Sequence, residues 1–360
     1  MPSCVFLYMV CHNGKLGIIE WKDTSKKGFA PMNKTSKYLL AGASVAAAGA
    51  AVVGAAYMST RYLVKVALDR EQPKITNMDV AKQFLRGYKD YGPFLDAMDS
   101  GALKLKNTPH EKIQIESHDG QLLVGHWFPH PNAKRLVVAM HGWRSSWASD
   151  FGFVSDFLHQ NGCSVLYAEQ RGQGSSGGEY MGFGMIERYD CLKWIRWIDG
   201  QNPNNLPIYL AGVSMGAATV MMTADLELPE NVRGIVADCG FTSIHDIWKH
   251  VAQRNLHLPY SIYGALADSL CREKICIGTK DCSTLQALEK SRVPVLFVHG
   301  TNDHFVPVEM TYRNYQACNA PKRLLIVPGA DHGMSYYKEQ QRYEQALRDF
   351  WKQYDSCAAH

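Results

Sequence analysis

The chain of 360 residues is long enough for one sizeable α/β domain with additional elements. With 46% hydrophobic and 20% charged residues, its bulk is not that of a disordered polypeptide. The 38 basic and 34 acidic residues leave a formal charge of +4 with no dense basic block, which argues against nucleic acid as the main partner.

Residues 1–37 form an N-terminal extension whose first 31 residues read as neither anchor nor domain, and Met32 offers an alternative start of translation. From Tyr38 to Met58 the chain carries 21 residues without a charge, and the uncharged run continues to Thr60. That is the length at which one helix crosses a bilayer core, and it exceeds the apolar core of a cleavable signal peptide. Residues 38–60 are therefore expected to form a transmembrane anchor, with a cleaved signal or a buried domain helix as competing readings. Lys15, Lys22, Lys26, Lys27, Lys34 and Lys37 precede the run, while Arg61, Lys65, Arg70 and Lys74 follow it. This bias predicts a single-pass protein with its catalytic domain outside the cytoplasm. Counted from Met32, the bias reverses. Residues 61–108 read as a helical linker broken at Gly92-Pro93.

Residues 109–355 alternate strand and helix signals. "EKIQIES" and "QLLVGHWF" flank Asp119-Gly120, a hairpin turn pattern. The runs "RLVVAMHG", "CSVLYAEQRG", "LPIYLAG", "VRGIVADCG", "VPVLFVHG" and "KRLLIVPG" are nearly continuous in apolar residues and end in Gly. A strand covered on both faces has this pattern. Helical segments over 148–160, 182–199, 215–226 and 335–354 lie between or after them. The fold class is α/β, a doubly wound and mostly parallel sheet, whose reactive residues belong beyond the carboxyl ends of the strands. Residues 241–292 interrupt the rhythm and read as an inserted helical cap.

Gly212-Val213-Ser214-Met215-Gly216 follows the run "PIYLAG" directly. Small residues at 212 and 216 permit a sharp strand-to-helix turn that holds Ser214 out for chemistry. The competing role for Ser214 is a helix N-cap. A serine hydroxyl needs a base, and the base needs an orienting acid. Asp303 lies in the loop after "VPVLFV" and His332 in the loop after "RLLIV". Asp238 is the rival acid, with Asp331 a weaker one, and His299 and His304 are the rival bases. The oxyanion donors are expected to be the N–H groups of Met215 and Trp143, with Gly142 giving room for the turn and His141 bracing it. Trp143 and Trp147 are candidates for the acyl pocket.

The glycine-rich "EQRGQGSSGG" has neither the Lys-Ser/Thr of a phosphate loop nor the order of a dinucleotide motif. Arg171 is expected to tie loops together beneath the site rather than to bind a substrate carboxylate. Buried free thiols are expected at Cys163, Cys191 and Cys239. Cys271, Cys276 and Cys282 cluster without a metal-binding spacing, and a disulfide among them requires an oxidising compartment.

The ordered set formed by His141-Gly142, Arg171 to Ser175, Gly212 to Gly216, His299-Gly300 with Asp303, and His332-Gly333 resembles the α/β-hydrolase superfamily over roughly 111–355. Within it, the chain is similar to the membrane-anchored or secreted serine aminopeptidase-like and esterase branch. The resemblance implies nucleophile Ser214, acid Asp303 and base His332, with the oxyanion hole at Met215 and Trp143. Glu169 and Gln173 depart from the usual pattern around "RGxG". The implied activity is hydrolysis of carboxylic esters through an acyl-serine, with no metal or organic cofactor. The expected partners are a small-molecule or lipid acyl substrate and a membrane reached through the N-terminal helix. Aminopeptidase, thioesterase, lipid or monoacylglycerol esterase and non-catalytic scaffold are the alternatives. A peptidase would need an acidic clamp, for which Glu273 and Asp281 are the candidates in the cap.

Overall fold

The protein's computed structural model describes residues 9–12, 15–18, 34–71 and 91–356. Two short strands, β1 (Met9–His12) and β2 (Lys15–Ile18), pair antiparallel. Helix α1 follows over Lys34–Leu68. The chain divides into two compact units at Gly54/Ala55. The first holds β1, β2 and the beginning of α1, and the second holds every element that follows.

The expectation of a transmembrane anchor over 38–60 is corrected here. Among the described residues no helix is long and apolar enough to cross a membrane. The run does lie within α1, but 12 of the 21 residues from Tyr38 to Met58 are Ala or Gly. Such residues lack charge without bringing much apolar surface, and transfer to hydrocarbon scales with that surface. The predicted linker is corrected as well. α1 continues to Leu68, and Gly92-Pro93 opens helix α2 (Tyr91–Asn107) instead of breaking one. Proline is tolerated in a first turn because its missing N–H has no partner there anyway. The part of the linker over 72–90 lies outside the described residues.

The strands of the second unit are β3 (Glu111–Glu116), β4 (Leu122–Phe128) and β5 (Arg135–Met140), then β6 (Cys163–Glu169) after helices α3 (Trp147–Phe151) and α4 (Ser155–Gln160). Helix α5 (Glu187–Gly200), strand β7 (Ile208–Val213), helix α6 (Met215–Thr223) and strand β8 (Val232–Asp238) come next. Helix α7 (Ile244–His250) runs into a π-helical turn (Val251–Asn255), and α8 (Tyr260–Ile275) and α9 (Thr284–Lys290) follow. The chain closes with β9 (Val295–Gly300), α10 (Val308–Ala317), β10 (Lys322–Val327), α11 (Ser335–Lys338) and α12 (Gln340–Tyr354).

The sheet order is β10-β9-β8-β7-β5-β6-β4-β3. β3 and β4 form the antiparallel hairpin, β4 pairs antiparallel with β6, and the remaining pairs are parallel. Of the six runs read as doubly covered, β5, β6 and β9 are buried at every residue and β7 and β8 at most, whereas β10, at the sheet edge, exposes Leu324 and buries only Leu325 and Val327. One face packs on Phe157, Tyr167, Phe350 and Trp351, and the other on Trp194, Ile195, Met221 and Phe297. Truncating a fully buried aromatic such as Phe350 to alanine costs about 3–5 kcal/mol.

The four predicted helices differ in extent: 215–226 ends at Thr223, and 335–354 is split into α11 and α12 at Glu339. The segment over 148–160 is split into α3 and α4 around Gly152, and α5 begins only at Glu187. The buried Glu187 carboxylate accepts the N–H groups of Gly182 (2.6 Å) and Gly184 (2.8 Å), holding the preceding residues in a turn. Within 241–292, α9 packs Leu288 into the sheet-side core with Val295 and Phe297. The elements that overlie the strand ends are α7, the π-turn and α8.

Candidate active site

The turn at Ser214 is built from the absence of side chains. A Cβ at Gly212 would lie 2.2 Å from Gly216 O, and one at Gly216 would lie 1.8 Å from Met140 O. Only glycine at both positions lets α6 start against the ends of β7 and β5. Ser214 sits between them with φ 54° and ψ −115°, a conformation that a non-glycine residue adopts at a cost of about 1–3 kcal/mol. Its N–H donates to Asp238 O (2.9 Å), which fixes the strained residue to β8. Its side chain caps nothing in α6, so the N-cap role is absent.

Ser214 Oγ lies 3.0 Å from His332 Nε2, and His332 Nδ1 lies 2.7 Å from Asp303 Oδ2. The loops after β7, β9 and β10 thus bring the three predicted residues into one hydrogen-bonded line. The carboxylate partner requires the His332 proton on Nδ1, which leaves Nε2 to accept from the serine. Asp303 is held by three further donors: Phe305 N (2.9 Å) and Val306 N (2.8 Å) on Oδ1, and His299 Nε2 (3.1 Å) on Oδ2. His299 is fully buried. Its Nε2 faces both Asp303 and Val306 O, so it carries a proton, while Nδ1 accepts from Thr311 Oγ1 (2.6 Å). The rival base is therefore a brace for the acid.

Burial opposes ionisation of Asp303, yet His332 and His299 together hold its carboxyl well below the usual range. Burial likewise opposes protonation of His332, but neighbouring Cys239 and Asp303 raise it well above its ordinary 6.5. The Cys239 thiol is pushed up to about 11, chiefly by burial, and is neutral at neutral pH. Asp303 is then the charge that favours the imidazolium.

The rival acids are occupied elsewhere. Asp238 accepts from Ser335 Oγ (3.2 Å) and Tyr343, and burial pushes it up to about 6. Asp331 accepts from Tyr91 Oη (2.5 Å) and the N–H groups of His332 (2.7 Å) and His304 (3.2 Å). His304 is exposed.

The loop after β5 is braced from several sides. Gly142 N donates to Asp150 Oδ2 (2.6 Å), so Gly142 offers no free donor. His141 accepts Gln170 N at Nε2 (3.1 Å) and donates from Nδ1 to Gly142 O (2.8 Å). Gln173, one of the two departures from the family pattern, accepts Arg144 N at Oε1 (2.6 Å). Glu169, the other, pairs with His126 (2.7 Å) and accepts Ser175 N. Arg171 is spent on Asp190 (2.5 Å) and Asp119 (2.8 Å), as a loop tie.

A cavity of about 300 Å³ opens beside Ser214. Trp143, Phe183 and Phe305 line it near the triad, and Phe305 stands edge-on to His332 with ring centroids 5.2 Å apart. Trp248, Val251 and Tyr263 line it from the cap segment, while Thr60, Leu63, Val64 and Ala67 of α1 form another side. Among the described residues no charged side chain lines it. Trp147, a pocket candidate from sequence, is corrected: it is buried away from the cavity and stacks on His126 at 4.0 Å. The clamp candidates are corrected too. Asp281 pairs with Arg272 (2.7 Å), Glu273 is exposed, and neither lines the cavity. Cys271, Cys276 and Cys282 carry free thiols.

Sheet order, helices on both faces and a strained serine turn give the chain the α/β-hydrolase fold. The serine aminopeptidase S33 family matches residues 131–274. Among curated relatives, YqkD of Bacillus subtilis (strain 168) is 27% identical over 225 residues, covering 62% of this chain and 73% of its own length. Rv2307c of Mycobacterium tuberculosis (strain H37Rv) is 26% identical over 225 residues, covering 61% and 71%. Among solved structures, an esterase of Pyrococcus furiosus superposes with a TM-score of 0.57 at 21% identity, covering 70% of this chain and 94% of that one. An acylaminoacyl peptidase of Pyrococcus horikoshii gives 0.53 at 14%, covering 71% and 43%. These two structural likenesses are likenesses of fold.

Proposed function

We propose that this α/β hydrolase cleaves carboxylic esters of apolar acyl groups through an acyl-Ser214 intermediate. The observation that carries the reading is the Ser214–His332–Asp303 line opening onto a cavity without charge. In the first half-reaction His332 Nε2 takes the Ser214 proton while Oγ bonds to the ester carbonyl carbon. The carbonyl oxygen becomes the oxyanion, received by the N–H groups of Met215 and Trp143. His332 then gives its proton to the departing alcohol as the ester C–O bond breaks. In the second half, water attacks the acyl-serine carbonyl and loses its proton to His332, which returns it to Ser214 Oγ as the acid leaves. Asp303 keeps the imidazole in the required tautomer and offsets its positive charge.

The family match favours a second reading, an aminopeptidase. It requires an anionic group to hold the substrate amine, and the cavity wall supplies apolar side chains instead. The expected result is labelling of the wild type, and not of Ser214→Ala, by a fluorophosphonate. p-Nitrophenyl acyl esters are expected to be cleaved faster than aminoacyl p-nitroanilides. A wild type that takes no label and leaves the esters intact would overturn the proposal, and a preference for the anilides would establish the second reading.

A further inference from the structure

The stretch "TRYLVKVALDR", Thr60 to Arg70, lies outside the part of the chain that matches the serine aminopeptidase family. Thr60, Leu63, Val64 and Ala67 recur at spacings of three and four, so one face of α1 carries them all. That face is the α1 side of the cavity. Arg61 and Lys65, between them in sequence, are exposed.

The end of this helix is tied to the catalytic loops by its own carbonyls. The last carbonyls of a helix have no partner within it, and a cation beside them is also favoured by the helix dipole. Here the Arg144 guanidinium donates to Val66 O (2.7 Å) and Asp69 O (2.7 Å). The Trp143 indole donates to Ala67 O (2.8 Å), and Met181 N donates to Leu68 O (2.7 Å). Beyond the helix, Arg70 donates to Ser176 O (2.5 Å) and Gly174 O (2.7 Å) in the glycine-rich loop, and Asp69 pairs with Lys274 of α8 (2.8 Å). Arg144 itself has φ 52°, a left-handed conformation that needs outside support in a residue with a side chain. Its neighbour Trp143 carries the N–H assigned to the oxyanion.

We infer that the last turns of α1 belong to the active site in two ways, with Leu63 determining acyl-chain selectivity and Arg144 positioning the oxyanion loop against the helix end. The inference rests on the ester-hydrolase reading and extends it to esters whose straight apolar chain runs along Thr60, Leu63 and Ala67. A charged or strongly polar acyl group finds no partner on that wall.

The test uses the full chain and p-nitrophenyl acetate, butyrate, octanoate and dodecanoate, with circular dichroism to show that each variant is folded. Leu63→Trp fills the wall and is expected to lower kcat/KM for the two long esters about tenfold or more relative to acetate. Leu63→Ala is expected to move the preference toward dodecanoate, so the two variants shift the profile in opposite directions. Arg144→Ala is expected to lower kcat about a hundredfold for every chain length, because a displaced oxyanion donor is felt by all substrates. KM for acetate should stay near wild type, fluorophosphonate labelling should slow in parallel, and Arg144→Lys should recover part of the loss. A labelled, active wild type whose Leu63 variants keep its chain-length profile, or a folded Arg144→Ala with wild-type kcat, overturns the role of α1 alone. A wild type that neither takes label nor cleaves any ester overturns the hydrolase reading and the role of α1 with it.

Discussion

The carboxyl edge of the sheet and the wall of the cavity are made differently. At the edge, Ser214, Asp303 and His332 each stand at or shortly after the end of a parallel strand, and backbone pairing sets their spacing. The wall is assembled from α1 and from the cap segment, two stretches distant in sequence that meet over Ser214. On the proposed function, the difference teaches that bond breaking depends on a rigid scaffold, whereas selection of the acyl group depends on helices added to it. Damage at the edge should affect every substrate alike, and damage at the wall should depend on the substrate.

The largest effect is expected from Ser214→Ala, with kcat falling about 10⁶-fold for all esters. Any residual selectivity among esters in that variant would still report the wall. Asp303→Asn should lower kcat about 10⁴-fold by admitting the wrong His332 tautomer, again independently of chain length. A loss that varied strongly with acyl length would break the division between edge and wall.

The pH dependence sharpens it further. In the proposed mechanism His332 must be neutral to take the serine proton, and its pKa is raised above 6.5 in the folded protein. The acid limb of kcat/KM should therefore have its midpoint above 6.5, with activity lost as pH falls through it. Asp303→Asn should move that midpoint down, because the charge favouring the imidazolium is gone. The same shift makes His332 stabilising at pH below 6.5, a contribution lost as pH rises through the raised value. Asp303 has the opposite sign. Its lowered pKa contributes stability above the ordinary carboxylate range, lost as pH falls toward the folded value. Thermal melts across pH measure both. The smallest effect is expected at the cap, where Trp248→Ala should raise KM for octanoate about tenfold and leave kcat for acetate nearly unchanged, as steady-state kinetics will show.

Much of the edge was legible in the sequence because its signals are local. Doubly buried strands are continuous apolar runs, and Gly212 and Gly216 mark a turn that excludes side chains. The order Ser214, Asp303, His332 then follows from the strands that precede each residue. His299 reads in the sequence only as a rival base, since nothing nearby announces that Thr311 and Val306 O orient it toward Asp303. Gln173 reads in the sequence only as a departure from the family pattern, and it accepts the Arg144 N–H across 29 positions of sequence. The wall was least legible. Hydropathy at Tyr38–Met58 pointed to lipid because lack of charge and apolar bulk look alike in an Ala- and Gly-rich run. Of the cavity-facing residues, Thr60 then falls at the end of the expected anchor and Leu63, Val64 and Ala67 in the expected linker. Which helix face meets a cavity is a tertiary fact, and Trp147 shows the converse, an aromatic near the site that turns to His126 instead.

Asp303 accepts from His332, His299, Phe305 and Val306, so its two oxygens serve four donors from three directions. A carboxylate so saturated has no reason to take up a proton during turnover. In the proposed mechanism the travelling proton is then confined to Ser214, His332, the leaving alcohol and water, and Asp303 serves throughout as a stationary counter-ion. On that account the catalytic cycle has a single mobile proton at each step, and its energetics are set by how much positive charge one imidazole can carry beside a fixed negative one.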